Sequence, residues 1–177
     1  MKKELLSLLK KEAFFKKKVT LSSGKKSNYY IDVRRVSLTS RGIYLISCLL
    51  WDLLKDSRVT AVGGPTLGAD PLVGGLCTIA SQHKKNWRGF LVRKAPKKHG
   101  RQKLIEGQEL SSSDRVVLLD DVATSGSSLI KSIEILRPYK VKILKAVVVV
   151  DREEEARENL SALGCPLFSL FRKNDFF

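Results

Sequence analysis

Val116-Val117-Leu118-Leu119-Asp120-Asp121-Val122-Ala123-Thr124-Ser125-Gly126-Ser127-Ser128 decides the architecture of this chain. Four apolar residues, Val116 to Leu119, predict a short buried strand. The strand ends on two adjacent carboxylates, Asp120 and Asp121. Small and hydroxyl residues around Gly126 follow, and an apolar pattern at helical spacing begins after them. A strand that passes through small residues into a helix start is an anion site. Unpaired backbone N–H groups and the positive end of the helix dipole both face such a loop. Two acids beside that cradle point to a ligand with both a phosphate and hydroxyl groups, such as a phosphorylated sugar. The stretch carries neither the Gly-x-x-x-x-Gly-Lys-Ser/Thr pattern of a nucleoside triphosphate loop nor the Gly-x-Gly-x-x-Gly of a dinucleotide site.

Outward from this stretch, strands alternate with helices. Leu5, Leu6, Leu9 and Ala13 stand at helical spacing over 3–14, and residues 19–24 and 29–36 read as extended around a Ser-Gly turn. Thr39 or Ser40 caps a helix that carries Ile43, Leu45, Ile46, Leu49, Leu50, Leu53 and Leu54. A strand from Thr60 to Val62 runs into Gly63-Gly64-Pro65. Asp70-Pro71 marks a helix N-cap followed by proline at the first helical position. Phe90 to Val92 is a short strand, and 94–110 is polar, basic and irregular, a length of loop that is usually functional or disordered. The pattern then gives a helix over 127–137 stopped by Pro138, a strand over 141–150, a helix from Glu153 to Leu163 closed by Gly164, and a strand from Leu167 to Phe171. This order predicts an α/β fold, a doubly wound, mainly parallel sheet flanked by helices. Ligands then bind beyond the carboxyl ends of the strands. Gly63 to Asp70, Arg93 onward, Asp120 to Ser128 and Asp151-Arg152 all fall at that edge.

A chain of 177 residues, 43% hydrophobic, suits a single domain with a sizeable core. No apolar run is long enough to span a bilayer. The basic N-terminal pattern is amphipathic, without a signal-peptide core, so a cytoplasmic location is expected. Cys48, Cys77 and Cys165 are odd in number and far apart, which argues against a metal site and for three buried, inert thiols. Against 18 Asp and Glu, 33 Lys and Arg leave a net charge of +15, which favours anionic partners.

The stretch 116–128 resembles the phosphoribosyl pyrophosphate (PRPP) motif of type I phosphoribosyltransferases. The resemblance implies that Asp120 and Asp121 bind the ribose hydroxyls. Val122, Ala123, Thr124, Ser125, Gly126, Ser127 and Ser128 then wrap the 5′-phosphate. Three further stretches resemble the orotate-specific members. Arg93, Lys94, Lys97 and His99 fill the Arg-Lys-x-x-Lys-x-His-Gly pattern of their catalytic loop, and mobile cations of this kind stabilise a departing pyrophosphate. Residues 21–32 are similar to the Ser-Gly-x-x-Ser-x-Tyr segment that lies against the orotate ring, which places Tyr30 and Ile31 at the base. Ser22 stands where many members carry lysine, so Lys25 or Lys26 is the candidate to substitute for it. Asp151-Arg152 matches the pair whose arginine recognises orotate, with Thr124 adding a hydrogen bond. Residues 63–70 match the pyrophosphate loop, with Thr66-Leu67 at its centre.

By this resemblance the chain has the type I phosphoribosyltransferase fold, as one domain over 1–177. A small N-terminal hood at the base comes from about 1–38 and the C-terminal end. Its expected activity is Mg²⁺-dependent transfer from PRPP to orotate, yielding orotidine 5′-monophosphate in pyrimidine synthesis. Mg²⁺ would be held mainly through PRPP and pyrophosphate, with no direct protein ligand. The expected assembly is a homodimer whose active sites are shared between subunits. Two other readings remain open on the residues alone: transfer to another base, which has little use for Arg152, and a nucleic-acid-binding regulator on the same fold. The intact set of loop cations argues against the regulator, so neither nucleic acid nor membrane is an expected partner.

Overall fold

The computed structural model describes residues 1–20, 26–95 and 103–177. Helix α1 (Lys2–Glu12) is followed by four two-residue strands, β1 (Phe14–Phe15), β2 (Val19–Thr20), β3 (Lys26–Ser27) and β4 (Tyr30–Ile31). Next come α2 (Arg34–Ser37), α3 (Ser40–Leu54), β5 (Ala61–Pro65), α4 (Ala69–Gln82), β6 (Arg88–Val92) and β7 (Ile105–Gly107). The rest is β8 (Arg115–Ala123), α5 (Ser127–Leu136), β9 (Lys142–Asp151), α6 (Ala156–Ser161) and β10 (Leu167–Arg172). The central sheet has the order β10-β9-β8-β5-β6-β7. Its first five strands are parallel, and β7 closes the edge antiparallel to β6.

Alternation along β8 and β9 separates two apolar layers. Val117, Leu119, Val147 and Val149 face α1, α3 and α4. Val116, Leu118, Ala146 and Val148 face α5 and α6. Burial on both faces explains the uninterrupted valines of β9. The predicted doubly wound, mainly parallel sheet is thus the observed one. Among the described residues no helix is long and apolar enough to cross a membrane.

Several local expectations are corrected. β8 does not stop at Leu119. It stays paired with β9 through Asp120↔Val148 to Ala123↔Asp151, so both acids lie inside the strand. Ladder hydrogen bonds continue past the apolar run because β9 is ten residues long. Residues 34–37 are a helical turn rather than extended, since Val33 and Val36 both bury at i, i+3 spacing. Three residues of the supposedly irregular stretch 94–110 form β7 against β6. The helix expected at Glu153 begins only at Ala156. Glu153 has φ +55 and its N–H donates to Asp151 Oδ1 at 2.8 Å, which turns the chain first. Asp70 lies within the first turn of α4 rather than capping it. Its Oδ1 has no hydrogen-bond partner among the described residues, and burial pushes its pKa up. Of the three thiols, Cys165 is buried, with its pKa pushed up to about 11 by that burial, while Cys48 and Cys77 are only half-buried.

Asp114 knots the far end of the sheet. It accepts from the Thr60 hydroxyl at 2.8 Å, from the Ser111 N–H at 2.8 Å and from the Arg88 guanidinium. Burial alone would raise its pKa. The hydrogen bonds from Ser111, Thr60 and Arg88, with the Arg88 charge, outweigh burial and hold it below the usual carboxylate range. A depressed folded-state value means stability that is present above the ordinary carboxylate range and lost as pH falls through the folded value. Asp114→Asn is expected to cost about 2–3 kcal/mol, a fall in Tm of roughly 4–12 °C at pH 7. Thermal melts between pH 7 and pH 3 check this: the gap between wild type and variant should narrow in acid.

Candidate active site

Beyond the carboxyl ends of the parallel strands lies a cavity of about 410 Å³. Its walls come from five places in the chain: Tyr30 to Arg34, Pro65 to Gly68, Lys94, Asp120 to Ser128, and Arg152. Thr66, Leu67, Lys94, Val122, Thr124 and Ser128 all line it. A larger cavity of about 570 Å³, between α4 and β6, is lined by Val73, Cys77, Trp87 and Phe90 among others. Of the stretches expected to carry chemistry, only the end of the 63–70 match, Asp70, lines that one.

The acids are fixed from below. Asp120 Oδ1 accepts from the Asp121 N–H at 2.9 Å, and Asp121 Oδ1 accepts from the Val122 N–H at 2.8 Å. Asp120 is buried, and burial together with the neighbouring Asp121 charge pushes its pKa well up. Gly68 packs against both. A Cβ there would stand 2.4 Å from Asp120 Oδ1 and 2.6 Å from Asp121 Oδ1, so only glycine lets the 66–68 loop close over the acids.

Residues 122–129 enclose a smaller hollow beside Asp120. Here the backbone is turned inside out. The carbonyl of Ala123 accepts from the Arg152 N–H, that of Thr124 from the Ala156 N–H, that of Ser125 from Asn159 Nδ2 and that of Gly126 from the Ile130 N–H. Four successive carbonyls are thereby held away from the hollow. The N–H groups of Ser125 to Leu129 have no backbone acceptor among the described residues. Gly126, at φ +77, makes the turn and fits against Ala156 and Leu160 of α6. The result is a nest of amide donors at the start of α5, suited to a phosphate.

Arg152 closes the other side. It is 3% exposed, donates from Nε to Glu154 Oε1 at 3.1 Å and from Nη2 to Ser27 Oγ at 3.1 Å, and stacks on the Tyr29 ring at 4.2 Å. Burial raises the Tyr29 pKa, against the opposing pull of Arg152.

Of the other expected site residues, Arg93 pairs with Glu106 at 3.3 Å and lines a neighbouring cavity with Lys94 and Lys131. Lys26 is exposed and does not line the main cavity. Ser22, Lys25, Lys97 and His99 lie outside the described residues. Arg34 escaped the sequence reading. Its Nε donates to Asp32 Oδ1 at 2.9 Å and stands 3.9 Å from Asp121 Oδ2, and the Asp32 hydrogen bond raises its pKa. No pattern in the sequence marks it. Ser27, Glu154 and Asn159 were also missed as contributors. Only Ser27 had a signal, its place in the Ser-Gly-x-x-Ser-x-Tyr segment.

A cavity with two acids, an amide nest and a buried arginine can hold hydroxyls, a phosphate and a planar carboxylated group together. Comparisons with known proteins agree with this inventory. A family model described as phosphoribosyl transferase domain matches residues 79–165. The chain is 41% identical over 155 residues to an orotate phosphoribosyltransferase of Aquifex aeolicus, covering 88% of this chain and 84% of that protein. It is 41% identical over 172 residues to one of Corynebacterium glutamicum, covering 97% and 91%. The structure superimposes with a TM-score of 0.81 on that of the Mycobacterium tuberculosis orotate phosphoribosyltransferase in complex with PRPP, at 32% identity, covering 99% of this chain and 98% of that one.

Proposed function

The chain belongs to the orotate phosphoribosyltransferases, and on that premise we propose that it transfers the 5-phosphoribosyl group of PRPP to orotate. The products are orotidine 5′-monophosphate and pyrophosphate, in de novo pyrimidine synthesis. One observation carries the reading: the acid pair and the buried Arg152 line one cavity, and the hollow of the amide nest adjoins it, sharing Asp120, Val122, Thr124 and Ser128. Asp120 and Asp121 accept hydrogen bonds from the ribose hydroxyls, and the amides of 125–129 cradle the 5′-phosphate. Arg152 and Thr124 hold orotate between the acids and the Tyr30-Ile31 wall, with N1 facing C1′. The C1′–O bond breaks, pyrophosphate leaves with the electron pair, the N1–C1′ bond forms, and the N1 proton passes to the departing pyrophosphate. Positioning and electrostatics supply the rate, with no covalent enzyme intermediate.

Among the described residues no three His, Cys, Asp or Glu side chains cluster as metal ligands. The hard carboxylate oxygens of Asp120 and Asp121 in the cavity wall are the groups that would face Mg²⁺ carried on substrate oxygens. Mg²⁺, when bound, neutralises charge on the pyrophosphate. The working unit is a cytoplasmic homodimer in which the 93–100 loop of one subunit serves the other's site. The test is orotate consumption, followed by absorbance, with PRPP and Mg²⁺ and with uracil, adenine and hypoxanthine as competitors. Absence of orotate turnover would sink the reading.

Lys97→Ala is expected to lower turnover roughly 100-fold or more while PRPP affinity by calorimetry stays within about threefold. Mixed with an Asp120→Ala/Asp121→Ala protein under conditions of subunit exchange, it should regain part of the wild-type turnover. No recovery would count against shared sites.

A further inference from the structure

An arginine has two edges with which to grip a carboxylate. One is formed by Nε and Nη2, the other by Nη1 and the remaining N–H of Nη2. In this chain the first edge is already filled. Glu154 Oε1 takes Nε and Ser27 Oγ takes Nη2, each at 3.1 Å. The Tyr29 ring covers one face of the guanidinium at 4.2 Å. Nη1 has no hydrogen-bond partner among the described residues, and Arg152 lines the cavity. A freely turning arginine would present either edge. This one is held so that only the end formed by Nη1 and Nη2 is open.

We infer that Ser27 and Glu154 are positioning residues that fix which edge of Arg152 meets the carboxylated base, and so set specificity. The inference rests on the reading of Arg152 as the group that grips orotate. The Ser27 hydroxyl is fully used. It donates to the Tyr29 carbonyl at 2.8 Å and accepts from the Tyr29 N–H at 3.3 Å as well as from Arg152. It therefore ties the backbone that carries Tyr30 and Ile31 to the guanidinium, across 125 residues of sequence. Tyr29 is itself wedged against Phe14 at 5.8 Å and Phe177 at 5.4 Å, so the platform under the arginine is rigid. Glu154 adds a charge argument. Arg152 is almost wholly desolvated, and a buried cation needs a partner. Glu154 supplies that charge from the edge the substrate does not use. A carboxylate arriving at the filled edge meets a like charge and is turned away.

Three variants test this. Glu154→Ala is expected to raise the KM for orotate roughly 10- to 100-fold, the loss that follows from removing one charged hydrogen bond. The kcat and the KM for PRPP should stay within about threefold. Glu154→Gln keeps an acceptor oxygen for Nε and should recover most of the loss. Ser27→Ala should raise the orotate KM in the same selective way, which keeps the test alive if Glu154→Ala fails to fold. A second readout needs no substrate. The Arg152 Nε–H signal in ¹⁵N NMR should exchange slowly with solvent in the wild type and rapidly in Glu154→Ala. An unchanged orotate KM in folded variants, or equal exchange in both proteins, overturns the inference. A wild type that holds the slow Nε–H signal but consumes no orotate overturns the functional reading instead, leaving the positioning of Arg152 intact.

Discussion

Asp120→Asn is expected to remove activity and, at the same time, make the protein more stable. The carboxylate is buried beside a second one, and burial together with Asp121 pushes its pKa well above the ordinary range. A carboxylate whose folded value is raised binds protons better folded than unfolded. Stability then falls as pH rises from the ordinary carboxylate range, about 4, through the raised value, and the full cost is present beyond it. Asparagine removes the charge while its Oδ1 can still accept from the Asp121 N–H, as Asp120 does at 2.9 Å. Turnover should drop about 100-fold, because a charged acceptor for a ribose hydroxyl becomes a neutral one. Tm at pH 7 should rise by roughly 2–4 °C, as about 1 kcal/mol brings in a chain of this size. Melts of both proteins from pH 8 to pH 3, beside steady-state rates, check both halves. The two melting curves should converge in acid, and a lower Tm for the variant at pH 7 would contradict the account. Such an exchange of stability for chemistry is common where like charges are gathered for function.

Arg152→Ala is the second large effect. It removes the fork proposed to meet the orotate carboxylate and strands Glu154, whose side chain is 23% exposed, without its partner. Truncating one member of a buried charged pair costs on the order of 2–5 kcal/mol in binding, so kcat/KM for orotate should fall about 1000-fold. The KM for PRPP should move only a few-fold, since the acids and the amide nest are untouched. Uracil, which lacks the carboxylate, should lose little, so the preference for orotate collapses. Arg152→Lys should not restore it, because an ammonium offers a point charge where a planar fork is needed. Competition of orotate with uracil in a product assay decides the matter: a preserved preference in Arg152→Ala would place base recognition elsewhere.

Much of this was legible in the chain because it is local. Thr39 caps α3, its hydroxyl accepting from the Gly42 N–H at 3.2 Å, where the sequence pattern puts the cap. The unbroken valines of 147–150 announce a strand buried on both faces, as β9 is. The Asp-Asp-Val-Ala-Thr-Ser-Gly stretch announces an anion cradle because strand, glycine turn and helix start are contiguous. Tertiary pairing decides the rest. β7 is only three residues long and exists through its ladder with β6, which no periodicity over 94–110 reveals. The acids belong to the strand because β9 runs alongside them. Ser27 meets Arg152 from 125 positions away. Glu154 is hidden in a run of three glutamates, and Arg34 is one basic residue among 33. Nothing short of the fold distinguishes Glu154 and Arg34.

Helix α6 has only six residues, yet its neighbourhood serves two ends of the cavity. Arg152 and Glu154 lie just before it. Ala156 and Asn159 on it hold the Thr124 and Ser125 carbonyls away from the amide nest. The segment 151–159 is therefore a common strut, and neither end can tilt without straining the other. Linkage through one rigid element is reciprocal. Whatever factor an occupant of the amide nest applies to affinity at the arginine, an occupant at the arginine must apply to the nest. The order in which two ligands arrive would then alter the kinetics of assembly but leave the final complex, and its total free energy, the same.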